Sequence, residues 1–258
     1  MKIVPLDLAL EPVFWRHVNQ DRPHYFFFAL DWSRSKEETD ILLALTGRRI
    51  EGMMLVFRKK VVQLRGTREA ARLLLKQLNL EEVELQAQVE HQQHILERYE
   101  PTWSHELMLM VLHRGEERPC SAHPIIELSV TDAPQIAALM TEADPEFWGT
   151  ATSDTIIDGM SGTNWTGIEL NGVLASVCRT RLLGGIGHIT TVATHEAHRN
   201  KGYATSLVSH SVESILRKAS TAIIYVLSDN QAAIKVYTRV GFRPYKTYFF
   251  IKGRRCVH

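Results

Sequence analysis

Residues 198–204 of the chain read HRNKGYA, at the point where a predicted strand gives way to a predicted helix. Gly202 and Ala204 fall in the first turn of that helix, and Arg199 and Lys201 add positive charge beside it. Free N–H groups and the dipole at a helix N-terminus bind anions, and small side chains let a pyrophosphate approach the backbone. The junction therefore predicts a site for a phosphate-bearing ligand. On these residues alone, a solvated basic helix start is the open alternative.

Outward from this junction, the second half of the chain alternates strands and helices. Asn171-Gly172 stands between two alternating apolar runs and is typical of a two-residue hairpin turn. Predicted strands cover 127–130, 165–170, 173–181, 186–194 and 222–227, predicted helices cover 133–140, 201–218 and 231–240, and a hairpin-like pair of strands covers 242–251. Antiparallel strands followed by a β-α-β-α-β order predict an α+β fold rather than a doubly wound one.

A second motif lies downstream. Residues 230–242 read NQAAIKVYTRVGF, which places Asn230, Tyr237 and Gly241-Phe242 in the spacing N-x6-Y-x3-G-F. Together with R-x-x-G-x-A at 199–204, this resembles the GCN5-related N-acetyltransferase (GNAT) superfamily, over roughly residues 125–252. The resemblance implies a GNAT fold, with a mixed, mostly antiparallel sheet flanked by helices.

The resemblance also implies an acyl-CoA co-substrate and direct transfer of its acyl group to an amine. Tyr237 would be the general acid that protonates the leaving thiolate, and the alternative is a half-buried aromatic on a helix. The residues that the resemblance assigns to the cofactor are Val192, Ala193, Thr194, Arg199, Asn200, Lys201, Gly202, Tyr203, Ala204 and Asn230.

The general base departs from the family pattern. Several members carry a glutamate eleven residues before the first loop residue, and counting back from Arg199 reaches His188. A histidine has an ordinary pKa of about 6.5, which suits proton transfer near neutral pH, so His188 is the predicted base. A histidine that is merely hydrogen-bonded at a strand edge is the alternative, and Glu196 and Asp229 are weaker candidates.

The first half of the chain shows a similar order of elements. Predicted helices cover 11–19, 67–78 with Thr67 as N-cap, and 91–99, while predicted strands cover 25–30, 41–46, 52–58, 61–64, 83–89 and 106–112. Residues 114–119 are polar with Gly and Pro, which favours domains at 1–118 and 119–258. Because neither motif recurs in it, the first half is interpreted as a smaller α+β, degenerate GNAT-like domain that no longer binds CoA and walls one side of the acceptor pocket. An unrelated α+β cap is the alternative.

Composition sets the remaining limits. The 258 residues include 30 Lys and Arg against 29 Asp and Glu, a balance that argues against a general nucleic-acid or membrane-surface role. Cys120, Cys178 and Cys256 form no disulfide or metal-binding pattern, so a reduced, cytoplasmic setting without a metal is expected. No apolar run is long enough to cross a bilayer.

The function predicted from the sequence is an N-acyltransferase, with acetyl as the commonest acyl group. The acceptor would be a small-molecule amine or a peptide amine, and the oligomeric state is left open. Two other functions stay open beside it. One is a non-catalytic acyl-CoA-binding sensor, and the other is an N-acetyltransferase that acts on a protein or peptide.

Overall fold

The computed structural model describes residues 1–256, in which nearly the same order of strands and helices occurs twice, with one additional helix the second time. The first set comprises β1 (Lys2–Pro5), α1 (Glu11–Val18), α2 (Phe26–Arg34), β2 (Thr39–Thr46), β3 (Arg49–Phe57), β4 (Val61–Gly66), α3 (Arg68–Leu75), β5 (Glu82–Gln88), α4 (Gln92–Leu96) and β6 (Tyr99–His113). The second set comprises β7 (Ile126–Leu128), α5 (Ala133–Ala143), α6 (Pro145–Trp148), α7 (Ser153–Met160), β8 (Thr163–Leu170), β9 (Val173–Leu183), β10 (Ile186–Thr194), α8 (Tyr203–Lys218), β11 (Thr221–Leu227), α9 (Gln231–Val240) and β12 (Arg243–Arg255). Mixed strand pairing with flanking helices confirms the α+β prediction.

The chain forms two compact units that are not contiguous in sequence. Among the described residues, the first contains Met1–Met108, Leu227–Asp229 and 246–256, and the second contains Leu109–Val226 and Asn230–Tyr245. The C-terminal residues belong to the first unit because β12 pairs antiparallel with β5. Strands so distant in sequence leave no local sequence pattern that shows their pairing. The predicted boundary at residue 118 therefore assigned β12 to the second domain. That division into independent domains stays a prediction.

The first unit is built on the strand order β1-β2-β3-β4-β5-β12. The first four strands pair antiparallel, and β4 and β5 pair in parallel. Phe14, Phe28 and Trp32 pack in one apolar cluster with residues of β2 and β3. The predicted N-cap is confirmed, since the Thr67 hydroxyl accepts a hydrogen bond from Ala70 N at 3.3 Å.

Two predicted elements are wrong. Residues 25–30 were expected to form an aromatic strand but lie in and beside α2, where Phe26 and Phe28 are buried. Aromatic residues favour strands only in so far as a pleated surface buries them, and here helix packing buries them instead. The hairpin-like pair over 242–251 is the single 13-residue strand β12, whose second half pairs with β5 from Tyr248 to Arg254. Helices α6 and α7 were not predicted.

The second unit contains neighbouring strands in the order β11-β10-β9-β8-β7. The predicted hairpin turn is confirmed, because Asn171 and Gly172 have φ values of 52° and 83° between β8 and β9. Residues of α5 pack with Trp165, Val177 and Ala193 in one apolar cluster, while α8 contacts β9 and β10. No helix within residues 1–256 has both the length and the apolar character needed to cross a membrane.

Candidate active site

A cavity of about 620 Å³ lies at the C-terminal end of β10, within the second unit. Its wall combines the end of a strand, the loop after it, the first turn of α8, one side of α9 and the residues that follow α5. The lining residues are Ala143, Asp144, Trp148, Val192, Ala193, Thr194, His198, Arg199, Asn200, Gly202, Tyr203, Ala204, Thr205, Asn230, Ala232, Ala233, Val236, Tyr237 and Arg239.

One wall of the cavity is made by a strand that parts from its parallel neighbour. Strands β10 and β11 pair from Ile186 to Ile189, and a bulge follows between Ile189 and Thr191. From Thr191 to Thr194, β10 continues in register with β9. The main chain of Val192–Thr194 is therefore paired on the β9 side, and on its other edge it can bond a ligand in the cavity.

The start of α8 forms a second wall and has the features of an anion site. Asn200 and Gly202 adopt left-handed conformations, with φ values of 63° and 83°. Gly202 is the N-cap of the helix, and no side chain accepts a hydrogen bond there. The first turn carries no acidic residue. The N–H groups of this turn are thus available to a phosphate-bearing ligand.

The two cationic residues of the loop differ in their placement. Arg199 lines the cavity, and its guanidinium donates from Nη2 to Ala143 O at 2.8 Å, which ties the loop to the end of α5. Lys201 does not line the cavity, and its ammonium donates to Ala197 O at 3.1 Å. The predicted cofactor role of Lys201 therefore has no support from its position.

The second motif begins and ends α9. The Asn230 side chain accepts a hydrogen bond from Ala233 N at 3.0 Å and caps the helix. Gly241 ends it with a φ of 119°, and a Cβ there would lie 2.5 Å from Glu116 O. The spacing of the motif thus fixes the helix that carries Tyr237.

Tyr237 lines the cavity with only 7% of its surface exposed. Burial, and secondarily the nearby Cys178, raises the pKa of its hydroxyl well above the ordinary value. The hydroxyl therefore keeps its proton at neutral pH and can act as a donor. Cys178 is fully buried beside Ser211, and burial raises the pKa of its thiol to about 12.

The structure places His188 outside the cavity wall. It is buried on β10, opposite Arg181 of β9. Burial, followed by the charges of Arg181 and Arg179, lowers the pKa of His188 to about 3. This imidazole is neutral at pH 7, but it holds an added proton too weakly to serve as an efficient terminal base. The position eleven residues before the loop is thus a buried sheet position in this chain.

Two proton acceptors that line the cavity were not predicted. Asp144 follows α5, and His198 lies in the loop before α8. Asp144 belongs to no motif in the sequence, so only the contact of α5 with the loop brings it there. Of the weaker base candidates, Glu196 lies outside the lining and Asp229 belongs to the first unit, 3.7 Å from His105. Across residues 1–256, no group of three or more His, Cys, Asp or Glu side chains is arranged to hold a metal ion.

Comparison with known proteins gives a family match and several similar folds. Residues 133–242 match the model of the acetyltransferase (GNAT) family. No curated protein sequence matches the chain. A solved Drosophila protein is 12% identical, with a TM-score of 0.75 over 97% of this chain and 98% of its own.

Two further solved structures carry the family in their names. A GCN5-related N-acetyltransferase from Sphaerobacter thermophilus is 15% identical, with a TM-score of 0.66 over 99% of this chain and 97% of its own. A GNAT-family acetyltransferase from Colwellia psychrerythraea is 14% identical, with a TM-score of 0.58 over 98% and 100% of the two chains. At these identities the likeness extends to the fold alone, and the sequence match to the family model goes further. Residues 133–242, which contain all the lining residues of the cavity, are therefore a domain of the acetyltransferase (GNAT) family.

Proposed function

We propose that the chain is an acyl-CoA-dependent N-acyltransferase, with acetyl-CoA as its donor and a primary amine as its acceptor. The observation that carries this proposal is that three features face one cavity. They are an uncapped helix start, an open edge of β10 and a buried tyrosine hydroxyl. These groups match the pyrophosphate, the pantetheine arm and the thioester sulfur of acyl-CoA, in that chemical order.

Acyl-CoA supplies an activated thioester. In the overall reaction a C–N bond forms, the C–S bond breaks, the amine loses a proton and the thiolate gains one. The main chain of Val192–Thr194 would hold the pantetheine arm and orient the thioester in the cavity. Tyr237 would donate the proton to the departing sulfur, and its raised pKa keeps that proton in place until the bond breaks.

The proton of the amine needs an acceptor. Asp144 supplies the one carboxylate among the described lining residues, so we propose Asp144 in this role in place of the predicted His188. Asp144→Asn should lower kcat more than His188→Gln does, and the comparison should be made at saturating acetyl-CoA. The reverse order would restore His188 as the base.

The first unit supports the interpretation of a duplicated fold that has lost its cofactor site. Its junction between β4 and α3 corresponds in order to the junction between β10 and α8. In the first unit, side chains of the protein itself form hydrogen bonds with the backbone groups of this junction. Gly66 N donates to Gln88 Oε1 at 2.8 Å, the His91 ring bonds Gly66 O at 3.0 Å, and Thr67 caps α3. We infer that acyl-CoA binds the second unit alone.

Tyr237→Phe tests the proposed function. Release of thiol from acetyl-CoA should be followed over a panel of amino acids, polyamines and peptides. The variant should lower kcat by roughly 10²–10⁴-fold and leave acetyl-CoA affinity nearly unchanged, because only the transferable proton is removed. Binding of acetyl-CoA by the native protein without turnover of any amine would instead favour a sensor. Unchanged kcat in Tyr237→Phe would remove the tyrosine from the reaction.

A further inference from the structure

A row of hydrogen-bond donors crosses three strands beside the cavity. Trp165 of β8, Arg179 of β9 and Thr191 of β10 stand directly opposite one another in the strand register. Residues opposite one another in antiparallel strands project from the same face of the sheet. Ala193, two positions further along β10, projects from the same face as Thr191 and lines the cavity. The row therefore lies next to the place where the acyl group would be transferred.

Two of the three side chains in this row have a donor with no acceptor among the described residues. The indole N–H of Trp165 and the hydroxyl of Thr191 are buried without a hydrogen-bond partner among the described residues. Arg179 donates from Nε to Thr190 Oγ1 at 2.7 Å, and its guanidinium lies 5.2 Å from the centre of the Trp165 ring. Within residues 1–256, Arg179 forms no ion pair with a carboxylate.

A second arginine increases the positive charge at this face. Arg181 lies two residues after Arg179 on β9, opposite His188 of β10 and Thr163 of β8. Both arginines are half-buried, and burial together with the charge of Arg181 lowers the pKa of Arg179 to about 10. No acidic side chain contributes to the pKa shift of Arg179 or of His188. A guanidinium that is partly removed from water, as that of Arg179 is, is costly without a counterion.

We propose that the acceptor amine is an amino acid whose carboxylate binds the Arg179 guanidinium, with Arg181 adding charge and Trp165 and Thr191 adding donors. This inference rests on the proposed acyltransfer and names its acceptor class. A guanidinium matches a carboxylate in a two-bond, planar geometry that an ammonium cannot provide. Neighbouring strands lie about 5 Å apart, so the side chain of Arg179 reaches the space beside Ala193, on the same face of the sheet. An amine held at the end of β10 could then have its carboxylate on the arginine row.

The test uses matched acceptors. Each amino acid in a panel is compared with its carboxamide, which keeps the amine and side chain and removes the negative charge. The native protein should acylate the acids with kcat/KM at least tenfold above that of the carboxamides. Arg179→Gln should lower kcat/KM for the acids about tenfold or more, chiefly through KM, and leave the carboxamides unchanged. Arg217→Gln, at an exposed position on α8, is the control and should change neither.

The outcomes separate the two proposals. Turnover of amines without preference for acids, or equal losses for acid and carboxamide in a folded Arg179→Gln protein, overturns the carboxylate site and leaves acyltransfer standing. Binding of amino acids to the CoA complex, lost in Arg179→Gln but with no turnover in the native protein, supports the carboxylate site and overturns acyltransfer. If Arg179→Gln does not fold, Thr191→Val serves instead, because it keeps the shape and removes one donor. It should weaken acid binding several-fold, and unchanged acid binding would refute the site.

Discussion

Gly202→Ala, paired with Gly172→Ala, separates the conformational role of a glycine from a role in ligand binding. Both glycines have a φ of 83°. Gly202 caps α8 in the cavity wall, whereas Gly172 lies in the turn between β8 and β9. A Cβ at Gly202 would meet no atom nearer than His123 Nε2 at 3.6 Å, and one at Gly172 would meet nothing within 4 Å.

The two substitutions should therefore have the same cost in stability. Neither substitution adds a clash. Each should therefore lower the free energy of unfolding by about 1 kcal/mol, because alanine disfavours the left-handed conformation. For a protein of this size, that corresponds to a fall in melting temperature of about 2–4 °C. Equal shifts in thermal unfolding would show that the strain is the same at both positions.

Ligand binding should distinguish them. The methyl group of Gly202→Ala enters the surface where a pyrophosphate would approach the helix start. Calorimetric titration should show acetyl-CoA affinity reduced about tenfold or more, or about 1.4 kcal/mol, in Gly202→Ala, and unchanged in Gly172→Ala. If both variants bind acetyl-CoA as the native protein does, the start of α8 is not the phosphate site and the reasoning from the loop fails.

Three other predictions concern buried groups. Gly187→Ala would overlap Ile215 of α8 and should lower the free energy of unfolding by about 1–3 kcal/mol in urea titrations; an unchanged midpoint would show that the helix shifts freely. Burial lowers the pKa of His24 to about 2 and that of His188 to about 3, so the unfolded chain binds more protons below pH 6.5. The free energy of unfolding should thus be highest above pH 6.5 and fall by up to about 2 kcal/mol per histidine by pH 5. His24→Gln should remove the part of this fall that His24 causes. The Cys178 thiol, with a pKa of about 12, should resist disulfide reagents in the native protein at pH 8 while the other two cysteines react, as mass spectrometry of peptides would show.

Most of the predicted site residues line the cavity, and they belong to segments whose conformation depends on local contacts. The loop from Arg199 to Ala204 and the segment from Asn230 to Phe242 each specify one helix end through neighbouring residues. Of the residues predicted from the two motifs, Lys201 is the one whose side chain points away from the cavity, towards Ala197. Its direction depends on how the loop closes, which the spacing of the motif does not specify.

The proposed base could not be predicted in the same way. Counting back to His188 identifies a position on β10, but its pKa depends on two arginines of β9 and on the helices that bury the sheet. Asp144 reaches the cavity because Arg199 holds the loop against the end of α5, across more than fifty residues of sequence. Neither the surroundings of His188 nor the position of Asp144 can be inferred from neighbouring residues in the sequence.

The sequence by itself determined the α+β class, the Asn171-Gly172 hairpin and the two motifs, because turn chemistry, helix capping and hydrophobic period act between residues a few positions apart. Tertiary structure alone decided that residues 25–30 fold as a helix, that β12 joins the first unit, and that Trp165, Arg179 and Thr191 form one row. These features depend on strand register and on which surfaces are buried, and both are fixed only when distant segments pack together.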